Sequence, residues 1–279
     1  MEAGGSWAYT FPLANRLKFV AVLEGEQWML PSGQTRYLMK KGDVCLIGRT
    51  KYVVASDPEL EPQDGAFLYP EGGSDVVRVG SGSGVVAIGG SVAFSEVHSD
   101  FLLDMLPGFL LVGREATASG AIAAVLDLIS NELLRDAMGA DIVAARLADV
   151  LVVEALRTLS DDEERSRTGW LGAITDPRLG RALHAIHRDV ALPWTVAALA
   201  EIAGMSRAAF SAKFSQQVGT PPLAYLRYWR LTLARTLLRK DVDTVEAVAR
   251  RVGYTSQSAF TNAYRQSFGT TPRSHTRAV

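Results

Sequence analysis

The chain has 279 residues, 48% of them hydrophobic and 21% charged, with a net charge of −1 at pH 7; this globular composition leaves room for two domains with substantial cores. A single cysteine, Cys45, excludes an internal disulfide framework and a cysteine-built metal site, and the most apolar stretch, FLLDMLPGFLLVG, is interrupted by Asp104 and Pro107 well short of a ~20-residue membrane span. The near-neutral total conceals a split: residues 176–279 hold fifteen Lys and Arg against six Asp and Glu, leaving fourteen against twenty-four in residues 1–175, which points to an acidic domain joined to one that meets a polyanion.

The opening residues, MEAGGSWAYTF, lack the basic start and apolar run of a signal peptide, so a cytoplasmic protein is expected. From Leu17 to about Phe94 the chain alternates short apolar runs (LKFVAVL, QWML, TRYLM, VCLI, YVVA, DVVRV, GVVAIGG) with turn signals at PSGQ, KKGD and PEGGSD. Many short strands at this spacing predict an antiparallel β-barrel or sandwich over residues 1–113. Phe19, Trp28, Tyr37 and Tyr52 are candidates to line a pocket in it, or else to fill its core. Cys45 reads as a buried small hydrophobe, and GSGSGVVAIGG, which precedes a strand-like run, is not a phosphate loop.

After Arg114 the period changes. ASGAIAAVLDLISNELLRDAM and ADIVAARLADVLVVEALRTL repeat apolar residues at helical intervals around Gly139 and predict an antiparallel helix pair over residues 114–160. Ile122, Leu126, Ile129 and Leu133 form one stripe; Leu147, Leu151, Val152 and Ala155 form another. The second helix is apolar on more than one face, which fits burial between the subunits of a homodimer as well as packing on its own barrel. The polar SDDEERSRTG marks a linker over residues 161–175, and a basic domain follows over residues 176–279, where Asp-Pro prepares a helix N-terminus. His184 and His187 read as surface residues of a scaffold helix; the alternative is a metal held with outside ligands.

Within the basic domain one pattern occurs twice. TVAALAEIAGMSRAAFSAKFSQQVGTPP starts at Thr195, and TVEAVARRVGYTSQSAFTNAYRQSFGTTP starts at Thr244 with one extra residue, Thr255, in its turn. Thr195 and Thr244 can cap first helices, Ser206 and Ser256 second helices, and Gly204 and Gly253 stand where the chain must leave a helix with positive φ. Each copy is therefore a helix-turn-helix. Between them PPLAYLRYWRLTLARTLLRK predicts one long helix, with Leu223, Leu226, Leu233 and Leu237 as candidates for its buried stripe. Such a connector can hold two recognition helices about one DNA turn (~34 Å) apart.

The second helix of such a motif lies in the major groove. In the second copy Gln257, Ser258, Thr261 and Asn262 occupy its exposed face, and Gln and Asn can pair bidentately with adenine. In the first copy the exposed positions are Arg207, Ala208, Ser211, Ala212 and Lys213. Ser206, Arg207, Lys213, Ser256 and Arg265 are assigned to the DNA backbone, with a guanine as the alternative partner of Arg207.

These motifs closely resemble the DNA-binding domain of the AraC family of bacterial transcription regulators, above all AVARRVGYTSQSAFTNAYRQSFGTTP. At the positions matching that family, Ala208, Ser211 and Ala212 would face bases. VLEGEQWML and LMKKGDVCLIGRTKYVVASD are similar to the effector-binding cupin domain of one branch of the family. The resemblance implies an α+β protein with a cupin-like barrel, a helical dimerisation pair and an all-α double helix-turn-helix domain. It also implies binding to double-stranded promoter DNA, a small-molecule effector and contact with RNA polymerase. Metal-binding cupins need several histidines, whereas Tyr52 or Val53 stands where related chains often have one and His98 is the domain's only other candidate. The barrel is therefore expected to hold no metal or cofactor and to have no enzymatic activity. The alternatives are a cupin-type enzyme with a DNA-binding tail and an effector-independent DNA binder.

Overall fold

The computed structural model describes residues 1–13, 16–69, 76–82, 84–92, 101, 103–117, 120–135, 138–161, 169–240 and 243–275. Its strands are β1 (Glu2–Ala3), β2 (Ala8–Phe11), β3 (Leu17–Glu24), β4 (Glu26–Pro31), β5 (Tyr37–Lys40), β6 (Val44–Ile47), β7 (Tyr52–Ala55), β8 (Gln63–Asp64), β9 (Arg78–Val79), β10 (Val85–Val92) and β11 (Phe109–Val112). They form a six-stranded sheet ordered β11-β6-β3-β10-β1-β9 and a five-stranded sheet ordered β5-β4-β7-β2-β8. The long pairings are antiparallel, such as β3 with β6, where Val20 lies opposite Cys45. The two-residue strands β8 and β9 pair parallel to β2 and β1.

Both sheets contribute inward residues to one core: Val22, Cys45 and Ile47 from the first, Met29, Met39 and Val54 from the second. Strand alternation produces it, because one parity of side chains is removed from water while the other faces outward. Cys45 lies fully inside, and burial pushes its thiol far above the usual range, the environment of an inert cysteine.

Two helices follow, α1 (Ala121–Arg135) and α2 (Ala140–Asp161), packed on each other, with α2 also against β6, β10 and β11. Ile122, Val125, Leu126 and Ile129 are buried on α1, and Leu151, Val152, Ala155 and Leu159 on α2. Leu147 is half-buried, and the Leu133 side chain lies outside the described residues. The second apolar face foreseen on α2 is present as exposed Ile142, Val143, Val150 and Val153.

The chain divides into two compact units, residues 1–93 with 106–161, and residues 94–105 with 162–279. The second contains a short stretch that the sequence assigns to the barrel. Phe101 is 1% exposed, and its ring meets Trp170, Tyr225 and Trp229 edge-on at centroid distances of 6.0, 5.5 and 4.7 Å. The Tyr228 hydroxyl is hydrogen-bonded to the Asp104 carboxylate. Residues 162–168 of the expected linker and His98 lie outside the described residues, whereas Gly169–Thr175, also assigned to the linker, is a helix of the second unit with Trp170 and Ala173 buried.

The helices of the second unit are α3 (Gly169–Thr175), α4 (Leu179–Arg188), α5 (Val196–Ala203), α6 (Arg207–Val218), α7 (Pro222–Arg239), α8 (Val245–Arg251), α9 (Gln257–Phe268) and α10 (Pro272–His275). No described helix is long and apolar enough to cross a membrane. Pro222 occupies the first turn of α7, where a missing N–H costs nothing. The stripe expected on α7 is corrected: Leu226 is buried, but Leu223 is 44% exposed and Leu233 and Leu237 are half-buried. Tyr225, Trp229, Leu231, Ala234 and Leu238 carry the core instead. Thr232 and Thr236 are buried too; the Thr236 hydroxyl donates to the Thr232 carbonyl one turn back at 3.4 Å, a local bond that lets a hydroxyl enter a core.

Candidate nucleic-acid interface

Both repeats fold as capped helix pairs. The Thr195 hydroxyl accepts from Ala198 N at 3.1 Å, and Thr244 repeats the contact with Ala247 N at 3.2 Å. Ser206 accepts from Ala209 N at 3.3 Å and Ser256 from Ala259 N at 3.4 Å, opening the two recognition helices α6 and α9. Gly204 leaves α5 at φ 64° and Gly253 follows α8 at φ 85°, the left-handed region that glycine enters without penalty. Gly253 has a second reason to lack a side chain, since a Cβ there would lie 2.7 Å from the Arg230 guanidinium and 2.8 Å from the Ala191 carbonyl.

The role of that guanidinium was not read from the sequence. Arg230 donates from Nε to the Val190 carbonyl at 2.9 Å and from Nη2 to the Leu192 carbonyl at 2.7 Å. It thereby ties α7, the turn of the second motif and the approach to the first into one body. The only sequence signal was its position on the connector, which is not specific.

The recognition helices are anchored by aromatic rings. Phe210 and Phe214 of α6 are fully buried, as are Phe260 and Tyr264 of α9, spaced one helical turn apart so that the opposite face stays free. On α6 that face presents exposed Arg207, Ala208 and Ala212 with half-buried Ser211. On α9 it presents exposed Gln257, Ser258, Asn262 and Arg265 with half-buried Thr261. The Ser256 and Ser258 hydroxyls share a hydrogen bond of 2.7 Å, which holds Ser258 at the helix start. Arg207 and Arg265 carry no ion pair among the described residues.

Lys213 differs from its expected place at the DNA backbone. Its ammonium pairs with the Asp176 carboxylate, which also accepts from the Arg178 and Leu179 backbone amides at 2.9 Å each. Burial alone would raise the Asp176 carboxyl, but the Lys213 and backbone hydrogen bonds outweigh it and hold it below the usual range. Lys213 thus fastens α6 to the start of α4.

His187 is likewise more than a scaffold residue. Its Nε2 lies 2.7 Å from the Tyr225 hydroxyl, which accepts from Trp170 Nε1 at 2.8 Å. Donation by Tyr225 to His187 gives the Tyr225 hydroxyl one donor and one acceptor partner within the aromatic cluster. His184 is exposed.

The first unit contains a cavity of about 470 Å³ between its sheets. Phe19 and Tyr52 line it; Trp28 and Tyr37 do not. On β4 the alternation turns Gln27 and Met29 inward, leaving Trp28 on the outward parity, and Tyr37 stacks on Phe109 with centroids 5.0 Å apart. Among the described residues no group of three or more His, Cys, Asp or Glu is gathered as a metal site.

A globular β unit joined to two capped helix-turn-helix motifs on one connector defines a DNA-binding regulator architecture. Residues 1–161 match the cupin family model and residues 199–278 a helix-turn-helix domain model. AraC-like transcription regulators of Streptomyces lividans and Streptomyces antibioticus are each 34% identical over 98% of this chain and 90% of their own. The transcriptional regulator AlkR of Acinetobacter baylyi is 28% identical over 98% of this chain and 92% of its own. The chain also resembles the DNA-binding domain of AdpA, solved with a target DNA, at 29% identity over 36% of this chain and 91% of that one, with a TM-score of 0.35. The chain belongs to the AraC-like family of DNA-binding transcription regulators.

Proposed function

We propose that this regulator reads its promoter chiefly through α9, with α6 serving more to position the protein than to discriminate bases. The observation that supports this is the contrast between the two exposed faces. Gln257, Ser258 and Asn262 offer amide and hydroxyl groups, whereas Ala208 and Ala212 can only touch a thymine methyl. Thr261 and Ser211 sit at the edges of these faces, and Ser206, Arg207, Ser256 and Arg265 contact phosphates.

Asn262→Ala is expected to cost about 1–3 kcal/mol on the specific site and little on random DNA. Arg265→Ala is expected to weaken both duplexes, and Ser211→Ala to cost less than Asn262→Ala. Fluorescence anisotropy on a duplex selected from a random pool, and on its scrambled counterpart, measures all three. Equal losses on both duplexes for Asn262→Ala would assign that residue to positioning.

The first unit is the ligand-sensing half of a homodimer that works in the cytoplasm, without catalysis, and recruits RNA polymerase. Ligand binding shifts the population of arrangements in which the DNA-binding units are correctly spaced. The exposed apolar face of α2 is the dimer seam. Leu151 is unsuited to test it, because it is fully buried within its own chain. Val150→Glu and Val153→Glu leave the internal core intact and are expected to yield monomers in sedimentation; dimers of wild-type affinity would remove α2 from the interface.

A further inference from the structure

The cavity in the first unit is specific in its polar chemistry. Lys18 on β3 lines it, half-buried, its ammonium 5.8 Å from the Phe11 ring centroid and 5.7 Å from that of Tyr52. No carboxylate lies among the described lining residues, and Lys18 has no ion pair among the described residues. Burial draws its ammonium below the usual range, as expected of a cation held away from water without a counter-ion.

Gln27 supplies an independent observation. It lines the same cavity and is 1% exposed, yet neither its amide nitrogen nor its amide oxygen has a hydrogen-bond partner. Buried amides are normally satisfied on both sides, so an orphaned pair facing a cavity marks a place where a partner belongs. The remaining wall is largely apolar, apart from Tyr69, Ser91 and the Met1 amino group, which donates to the Ala87 carbonyl at 2.7 Å. Phe11 and Tyr52 stack with centroids 5.1 Å apart, and Gly89 and Gly90 of β10 leave their stretch of wall without side chains. A Cβ at Gly90 would meet the Phe19 ring at 2.8 Å, so that ring takes the space a side chain at position 90 would need.

We propose that this cavity binds a small organic acid, its carboxylate on Lys18, its apolar body against Phe11 and Tyr52, and a hydroxyl or N–H group on Gln27. The proposal rests on the first unit being the sensing half and adds the chemical class of what is sensed. A cavity of about 470 Å³ lies within the ~300–1,000 Å³ typical of small-molecule sites. The carboxylate would relieve the uncompensated charge through a charge-assisted bond, and a donor–acceptor group would complete the amide.

Calorimetric titration of the full chain with 4-hydroxyphenylacetate, indole-3-acetate and octanoate, each beside its neutral primary amide, tests this. Each acid that binds is expected to bind at least about ten-fold more tightly than its amide, and Lys18→Met to abolish that preference. Gln27→Leu is expected to weaken 4-hydroxyphenylacetate and indole-3-acetate several-fold and leave octanoate unchanged. It is also expected to raise the melting temperature of the ligand-free protein, because the orphaned amide is gone. Failure of every acid to bind, or binding of amides as tightly as acids, overturns the proposal. Acid binding that survives Lys18→Met unchanged also overturns it. A change in DNA affinity with each acid is scored separately. If the acids bind and DNA affinity does not move, the site stands and the sensing role fails.

Discussion

Raising salt from 50 to 200 mM is expected to weaken binding of the full chain to its specific duplex by about one order of magnitude. The estimate follows from counter-ion release, in which each neutralised phosphate contributes about −0.9 to the slope of log K against log salt. On the proposed contacts Arg207 and Arg265 neutralise about two phosphates, the Ser206 and Ser256 hydroxyls being uncharged, which gives a slope near −1.8 and a roughly 12-fold loss over a four-fold change in salt. Removing one cation with Arg265→Ala should flatten the slope by about 0.9, whereas Lys213→Ala should leave it unaltered, because that ammonium is spent on Asp176. Anisotropy titrations at four salt concentrations give these slopes. A slope near zero would remove the fifteen-to-six charge imbalance of residues 176–279 from any role in DNA binding.

Phe260→Ala is expected to destabilise the second unit by about 3–5 kcal/mol, the cost of an aromatic cavity that neighbours cannot fill. Phe260 is fully buried, with Tyr254 at 5.3 Å and Tyr264 at 5.6 Å between centroids, and those rings are themselves held by Val248, Leu231 and Leu238. Because Phe260 is the inward anchor of α9, the outward face carrying Asn262 loses its support along with the core. Chemical denaturation followed by tryptophan fluorescence reads the loss. Phe260→Leu should recover more than half of it, since a branched apolar side chain refills most of the space. A midpoint for Phe260→Ala equal to wild type would mean that α9 is held in some other way.

What could be read from the sequence was whatever is encoded locally. Thr195, Ser206, Thr244 and Ser256 act within three residues of themselves, and Gly204 and Gly253 act on their own φ, so both motifs were legible with their boundaries. The α7 stripe was misread because leucines were weighted above Tyr225 and Trp229, whose larger bodies fill the core. A threonine such as Thr236 also enters a core once its hydroxyl bonds one turn back. Trp28 was chosen for its ring, although the parity of Gln27 and Met29 placed it outward. Lys213 with Asp176, and Arg230 with Val190 and Leu192, are partnerships 37 to 40 residues apart. No periodicity reports such pairs.

Phe101 alters what counts as a transferable module in this chain. The cupin match spans residues 1–161, and a fusion made at its end would look like a clean exchange of sensors. It would also remove the ring that fills the space among Trp170, His187, Tyr225 and Trp229. The recipient DNA-binding unit would carry a hole in its aromatic centre however well the new sensor folded. A first unit exchanged at that boundary is therefore expected to leave the second unit stable only where it brings an equivalent ring to the place of Phe101. A loss of the Phe101 ring is accordingly expected to be offset by repacking at Trp170 or Trp229 and not by change on the exposed faces of α6 and α9.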